Sequence, residues 1–232
     1  MRKAPLMCEI LVAAVLAAGH ACATETVDEL LQDARDRDAD ATHGRELFVQ
    51  YCVECHGDRG QGNAKRNIPV IARQRQAYII KQFADIREQE RAAPPMHGIM
   101  KQPALSDVQA WVDVAVYTNT LKPVTGVQVG NGKFLQLGEA MFREQCTSCH
   151  GADARGDEDG FVPSLRNQHY TYLLGEIKEL GGGHRTNVDS ELIRFLNSLD
   201  QEERMGLADY LSRMQGKLRD LAWLRNNGVA GD

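Results

Sequence analysis

Two copies of one five-residue element constrain this chain more than anything else in it. They are Cys52-Val53-Glu54-Cys55-His56 and Cys146-Thr147-Ser148-Cys149-His150. The spacing C-x-x-C-H reads as a c-type haem attachment site. Two thiols add across the two vinyl groups of the porphyrin. The two intervening residues bring both sulfurs to one edge, and the next histidine turns onto the iron as proximal ligand. One copy alone could be half of a zinc site. Two copies in matching surroundings imply two covalently bound haem c groups, attached at Cys52, Cys55, Cys146 and Cys149, with His56 and His150 on the irons.

The surroundings match at a fixed offset of 94 positions. Gly44 pairs with Gly138, Phe48 with Phe142, Gly62 with Gly156, Pro69 with Pro163, Gln74 with Gln168, Tyr78 with Tyr172, Arg91 with Arg185 and Leu105 with Leu199. The register holds without a gap over about sixty residues, which is duplication of a whole domain and not a short-period solenoid. A chain of 232 residues has room for about two such domains. Its formal net charge of −5 gives no footprint for nucleic acid.

Residues 1–23 read as a signal peptide. Arg2 and Lys3 precede an apolar run, Ile10 to Gly19, that is too short to span a bilayer, and Ala21-Cys22-Ala23 is an A-x-A cleavage site. A lipoprotein signal ending at Cys22 is the alternative. Cleavage removes Cys8 and Cys22, so all four remaining cysteines lie in the two C-x-x-C-H elements and no structural disulfide is available once haem is attached. The expected location is the bacterial periplasm, with no transmembrane segment after cleavage.

Residues 24–42 read as an acidic leader, a short solvated helix or a flexible stretch. The first haem domain is expected over 43–122 and the second over 133–216, with a turn-rich linker at 123–132 and a tail at 217–232. Each domain is mostly helical. A short helix (44–51, 138–145) delivers the chain into the attachment element, and a Gly-rich loop (58–67, 152–160) follows. A second helix spans about 76–89 in the first copy and about 170–180 in the second. A last helix is expected from Ser106 and from Asp200 as N-caps. Within the second Gly-rich loop, Asp153, Asp157, Glu158 and Asp159 form an acidic run that reads as solvated, with calcium the less favoured alternative.

A second iron ligand should come from the loop between the second and last helices. In the first copy this is Ala92 to Met100, and Met96 is the expected ligand, with Met100 and His97 as rivals. Methionine sulfur favours ferrous iron and raises the potential. The second copy breaks the pattern: Ser190 stands opposite Met96, Arg194 opposite Met100, and residues 181–200 hold no methionine. His184 and Met205 are the protein candidates there, and an open sixth position is the alternative. His169 reads as a surface or propionate-side residue. Arg91 and Arg185 are expected at haem propionates, because a guanidinium fork suits a carboxylate; surface ion pairs are the alternative.

These residues resemble the cytochrome c4 family of dihaem electron carriers, and the related dihaem subunit of flavocytochrome c sulfide dehydrogenase. The resemblance covers about residues 44–215. It rests on both C-x-x-C-H-G elements, Pro69, Gln74 and Tyr78 with Pro163, Gln168 and Tyr172, Met96-His97-Gly98, and Leu105-Ser106-Asp107. It implies an all-α fold of two tandem class I cytochrome c domains related by a pseudo-twofold axis. It also implies haems near the interface and His/Met ligation at both irons, from which the second copy departs.

The resemblance implies electron transfer between redox proteins: a periplasmic dehydrogenase on one side, a membrane oxidase or reductase on the other. Two other readings stay open. One is an oxidoreductase with catalysis or ligand binding at the second haem. The other is a subunit of a larger redox enzyme, docked through Leu218, Leu221, Trp223 and Leu224.

Overall fold

The protein is described here from a computed structural model covering residues 26–185 and 187–214. The signal peptide and the 217–232 tail, with its four apolar docking candidates, lie outside the described residues. Those residues form eleven α-helices and no strand. None of these helices is long and apolar enough to cross a membrane.

The leader forms a short helix, one of the two expected forms, but one face of it is buried instead of solvated. Its helix α1 (Val27–Arg35) starts with a capping box between Thr26 and Glu29, and it buries Val27, Leu30, Leu31 and Ala34 in the core of the first domain. These few apolar residues recur at i, i+3, i+4 and i+7, one stripe of a helix whose other faces carry the acids.

The first domain continues through α2 (Ala41–Tyr51), α3 (Val53–His56), α4 (Gln76–Arg87), α5 (Pro94–Met100) and α6 (Val108–Thr120). Asp107, not Ser106, caps α6, accepting from Gln109 N at 2.8 Å, while the Ser106 hydroxyl donates to the Pro103 carbonyl. Fully buried Trp111 centres the core. Its indole N–H donates to the Leu105 carbonyl at 2.8 Å, and the Arg87 guanidinium lies over the ring.

The second domain holds α7 (Leu135–Met141), α8 (Thr147–His150), α9 (Tyr170–Gly181), α10 (Ser190–Ser198) and α11 (Gln201–Arg213). Asp200 caps α11 in a second capping box. In each domain the first haem-side helix crosses the last at a glycine. A Cβ on Gly44 would lie 1.9 Å from the Asp113 carbonyl oxygen, and one on Gly138 1.9 Å from that of Gly206. Phe48 then meets Tyr117, and Phe142 meets Tyr210, on the inner side of each crossing.

The two domains are fastened by reciprocal contacts at the same 94-residue offset. Gln168 donates to the Val70 carbonyl and accepts from Val70 N, both at 2.9 Å. Gln74 donates to the Ser164 carbonyl at 3.0 Å and accepts from Ser164 N at 2.8 Å. Arg75 donates to the Arg155 carbonyl and His169 to that of Gln61. The backbones of Arg91 and Arg185 pair with each other. Glu158 caps the other domain's α4, accepting from Gln76 N and Ala77 N, so at least this member of the acidic run is a clasp. Phe161, beside it in sequence, packs against the first core and under Arg35 of α1.

The 123–132 segment has no regular structure but is pinned. Val127 is buried against Val70 and Ala72, and Gly130 N and Gly132 N both donate to buried Asp209. Removing a seam glutamine orphans buried backbone groups, whose desolvation costs about 1–3 kcal/mol. Gln168→Ala is therefore expected to lower stability by about 2 kcal/mol in urea unfolding, with no change in helix content.

Candidate haem-binding sites

Each attachment element is a helical turn stitched to the end of a longer helix. Cys52 closes α2, and His56 N donates back to the Cys52 carbonyl at 2.8 Å. Cys146 is reached through a single π turn, Phe142–Cys146, where α2 instead runs on as α-helix. Both turns end on a glycine with positive φ, Gly57 at 78° and Gly151 at 74°, a conformation that favours glycine. The chain thus turns away at once and leaves the histidine facing inward.

The histidines are held identically. The Nδ1 atom of His56 lies 3.1 Å from the Pro69 carbonyl oxygen, and that of His150 lies 3.1 Å from the Pro163 carbonyl oxygen. An Nδ1–H donated to a carbonyl fixes the tautomer and leaves Nε2 with its lone pair, the arrangement an iron ligand needs. Burial pushes both rings below the usual imidazole range, against the opposing carbonyl hydrogen bond. The neutral, ligating form is favoured.

The four cysteines form no disulfide. Burial, then the neighbouring Cys55, pushes the Cys52 thiol up to about 12; burial, then Cys149, pushes Cys146 up to about 11. A thiol-disulfide oxidoreductase lowers such a pKa to make a thiolate. Raised thiols do not suit that chemistry, whereas a pair of thiols two residues apart followed by a histidine fits haem c.

The other candidates fall out differently. Met96 lies on α5, half-buried against the first core, whereas Met100 is a buried member of that core. The His97 ring is bonded to the Arg91 carbonyl at 3.2 Å. His169, expected at the surface or beside a propionate, is buried in the seam. Its Nδ1 accepts from Gln128 N at 3.1 Å and its Nε2 donates to the Gln61 carbonyl at 2.9 Å, so both nitrogens are used. The His184 side chain is 72% exposed and lies against Glu179. Met205 is half-buried on α11, with Gln201 donating to its sulfur.

Arg91 and Arg185 meet at the seam. Arg91 donates to Gln82 at 2.7 Å, to the Tyr172 hydroxyl at 3.1 Å and to Glu176 at 3.2 Å. Arg185 donates to Glu176, Gln82 and Asn187. Burial holds the Tyr172 hydroxyl well above its usual range, so it stays neutral and accepts. Gln82 and Glu176 are equivalent by the repeat, so among these four side chains one carboxylate faces two guanidiniums.

Two residue sets escaped the sequence reading. The seam set, Gln82, Glu176 and Glu158, carries no motif. Helix α10 did carry one: Asp189 precedes Leu192, Phe195, Leu196 and Leu199 at i, i+3, i+4 and i+7.

A family model described as cytochrome c matches residues 135–215, and one described as cytochrome C oxidase, cbb3-type, subunit III matches residues 39–112. Cytochrome c4 of Pseudomonas aeruginosa is 33% identical over 144 residues, 59% of this chain and 69% of that protein. The chain belongs to the cytochrome c4 family. The crystal structure of reduced recombinant cytochrome c4 from Pseudomonas stutzeri matches 77% of this chain and 100% of that one, with a TM-score of 0.68 at 25% identity. Thiosulfate dehydrogenase from Marichromatium purpuratum shares the fold, with a TM-score of 0.66 at 23% identity over 76% of this chain and 40% of that one. Like its cytochrome c4 relatives, the chain is a dihaem electron-transfer cytochrome, with haem c bound covalently in each of two all-α domains.

Proposed function

We propose that the chain is an exported electron carrier in which His56 and Met96 hold the first iron and His150 holds the second without a methionine. Haem c, when bound, supplies reversible one-electron chemistry. The chain's own part is to hold two such groups in fixed relation and tune them. The paired Nδ1-to-carbonyl contacts of His56 and His150 are the observation that carries this reading, since they present one lone pair per domain from the same scaffold. Met96 is preferred to Met100 because it is half-buried at the core's edge, not inside it.

Arg91 and Arg185 outnumber the carboxylate they share, a surplus of positive charge that suits a propionate at the seam. The domains follow the repeat, 43–122 and 133–216, with α1 added to the first. Export rests on the signal-peptide pattern of residues 1–23 and on attachment of haem c outside the cytoplasmic membrane. Partners are redox proteins, with a membrane oxidase favoured by the subunit III family match over 39–112. A second reading, a redox enzyme or enzyme subunit reacting at the second haem, is favoured by the missing methionine opposite Met96.

The test is a redox titration of the mature protein recovered from the periplasm. Two reversible one-electron steps per chain are expected, with no turnover of small-molecule donors in the absence of a partner protein. Met96→Ala should lower one potential by on the order of 0.1 V, within the range of about 0.8 V that axial ligands span, and leave the other in place. A single reducible haem per chain would sink the carrier reading.

A further inference from the structure

In both domains the segment between the second and last long helices is itself helical, but only the first domain's carries a methionine. Where the first copy has α5 with Met96, the second has α10 beginning at Ser190, an exposed residue whose hydroxyl accepts from Arg194. Helix α10 is fixed. A Cβ on Gly181 of α9 would lie 2.7 Å from the Leu196 carbonyl oxygen, so the two backbones touch. Its inward face is hydrocarbon: Leu192, Phe195 and Leu196 pack into the second core.

Among the described residues, the other histidines and the methionines of this domain are committed elsewhere. His169 spends both ring nitrogens at the seam. His184 is mostly exposed and paired with Glu179 on α9. Met205 sits on α11 beside Gln201, at the position that Trp111 fills in the first domain. Met141 and Met214 are half-buried in the core at the start and end of the fold, Met141 replacing core Leu47. Lys178 is exposed. Residues 215–232 contain neither methionine nor histidine. Arg185, the nearest buried cation in sequence, is bound to Glu176 and Asn187.

We infer that the second domain leaves the distal side of its haem without a protein ligand and lines it with hydrocarbon, forming a binding site for a small neutral diatomic ligand such as carbon monoxide or nitric oxide. This rests on the reading above that His150 holds the second haem. Neutral ligands are selected because Leu192, Phe195 and Leu196 offer an anion neither a hydrogen bond nor an opposite charge, and the desolvation of an unpaired charge is costly. The contrast with the first domain, where Met96 is in place, makes the site asymmetric within one duplicated chain.

The experiment is carbon monoxide titration of the reduced, full-length mature protein, after haem content and reversible reduction have been measured. One carbon monoxide per two haems is expected in the wild type and two in Met96→Ala. A wild type that binds none while both haems are reducible overturns the inference and leaves the carrier reading standing; fewer than two reducible haems would fault the carrier reading instead. A wild-type stoichiometry of one that persists in a Cys146→Ala, Cys149→Ala variant, which lacks the second attachment site, also overturns it, because the ligand then sits in the first domain. Electron paramagnetic resonance of the oxidised wild type needs no variant: one high-spin and one low-spin iron are expected, and two low-spin irons overturn the inference. Cyanide should bind the same iron at least tenfold more weakly at neutral pH than in a site with a distal donor; equal binding would overturn the hydrocarbon lining.

Discussion

Gly138→Val is expected to unfold the second domain while the first stays folded. At this crossing even a Cβ would stand 1.9 Å from the Gly206 carbonyl oxygen and 2.8 Å from Leu207 N, both backbone atoms with nowhere to rotate. Helix α7 would have to lift off α11. That movement pulls Phe142 off Tyr210 and opens the core through Leu207 and Leu211. Overpacking of a tight core usually costs about 1–3 kcal/mol, and a contact this close to backbone belongs at or above the top of that range. Because α7 leads through the π turn into Cys146, haem attachment to the second site should fall with it. Domain-resolved thermal unfolding, with haem content per chain, checks this. Leu137→Ala, on the exposed side of the same helix, should leave both unchanged.

Glu176→Gln is expected to have the next largest effect, and it should act at the seam. Glu176 is the carboxylate shared by Arg91 and Arg185, which are 13% and 6% exposed. Removing one partner of a buried ion pair costs about 3–5 kcal/mol, mostly because the other charge is stranded. The same substitution leaves α9 with good helix-forming residues, so the loss should appear as weakened domain–domain association, not as loss of helix. Proteolytic opening of the seam, followed together with chemical unfolding, separates the two. Gln82→Glu adds a carboxylate at the equivalent position. It should stabilise the seam if the second positive charge is unmatched, and destabilise it if a propionate already sits there. The pair of variants therefore tests the expected role of Arg91 and Arg185 without touching either.

Much of the fold was legible because it is local. The two attachment elements, the repeat and the helical periods around Phe83, Trp111, Leu173 and Leu211 are each carried by a few dozen neighbouring residues. The histidines were legible as ligands because the motif specifies their place; their proline carbonyl partners were not, although Pro69 and Pro163 were visible as a matched pair. What escaped was made between domains. Gln74 and Gln168 stood out as repeated, yet nothing in the sequence says that each reaches the other half's backbone. Glu158 looks solvated until the N-terminus of α4 is set against it. His169 looks exposed at a helix start for the same reason. Periodicity reports which face of an element is apolar, not which polar side chain will be covered by a second domain. The buried stripe of α1 is obscured by the three acids on its other faces, and the apolar stripe of α10 falls where the repeat leads one to expect a ligand-bearing loop.

The reciprocal seam has one more consequence. Its contacts are those of an isologous dimer joined into a single polypeptide, in which the joining segment supplies effective concentration and the contacts supply geometry. A true homodimer must change both halves whenever it changes one. Here each half can vary alone, and the pair Gln82 and Glu176 shows it: a single carboxylate serves arginines from both copies. Fusion is thus what permits division of labour between duplicated halves, and Ser190 standing where the other half has Met96 is a difference of that kind.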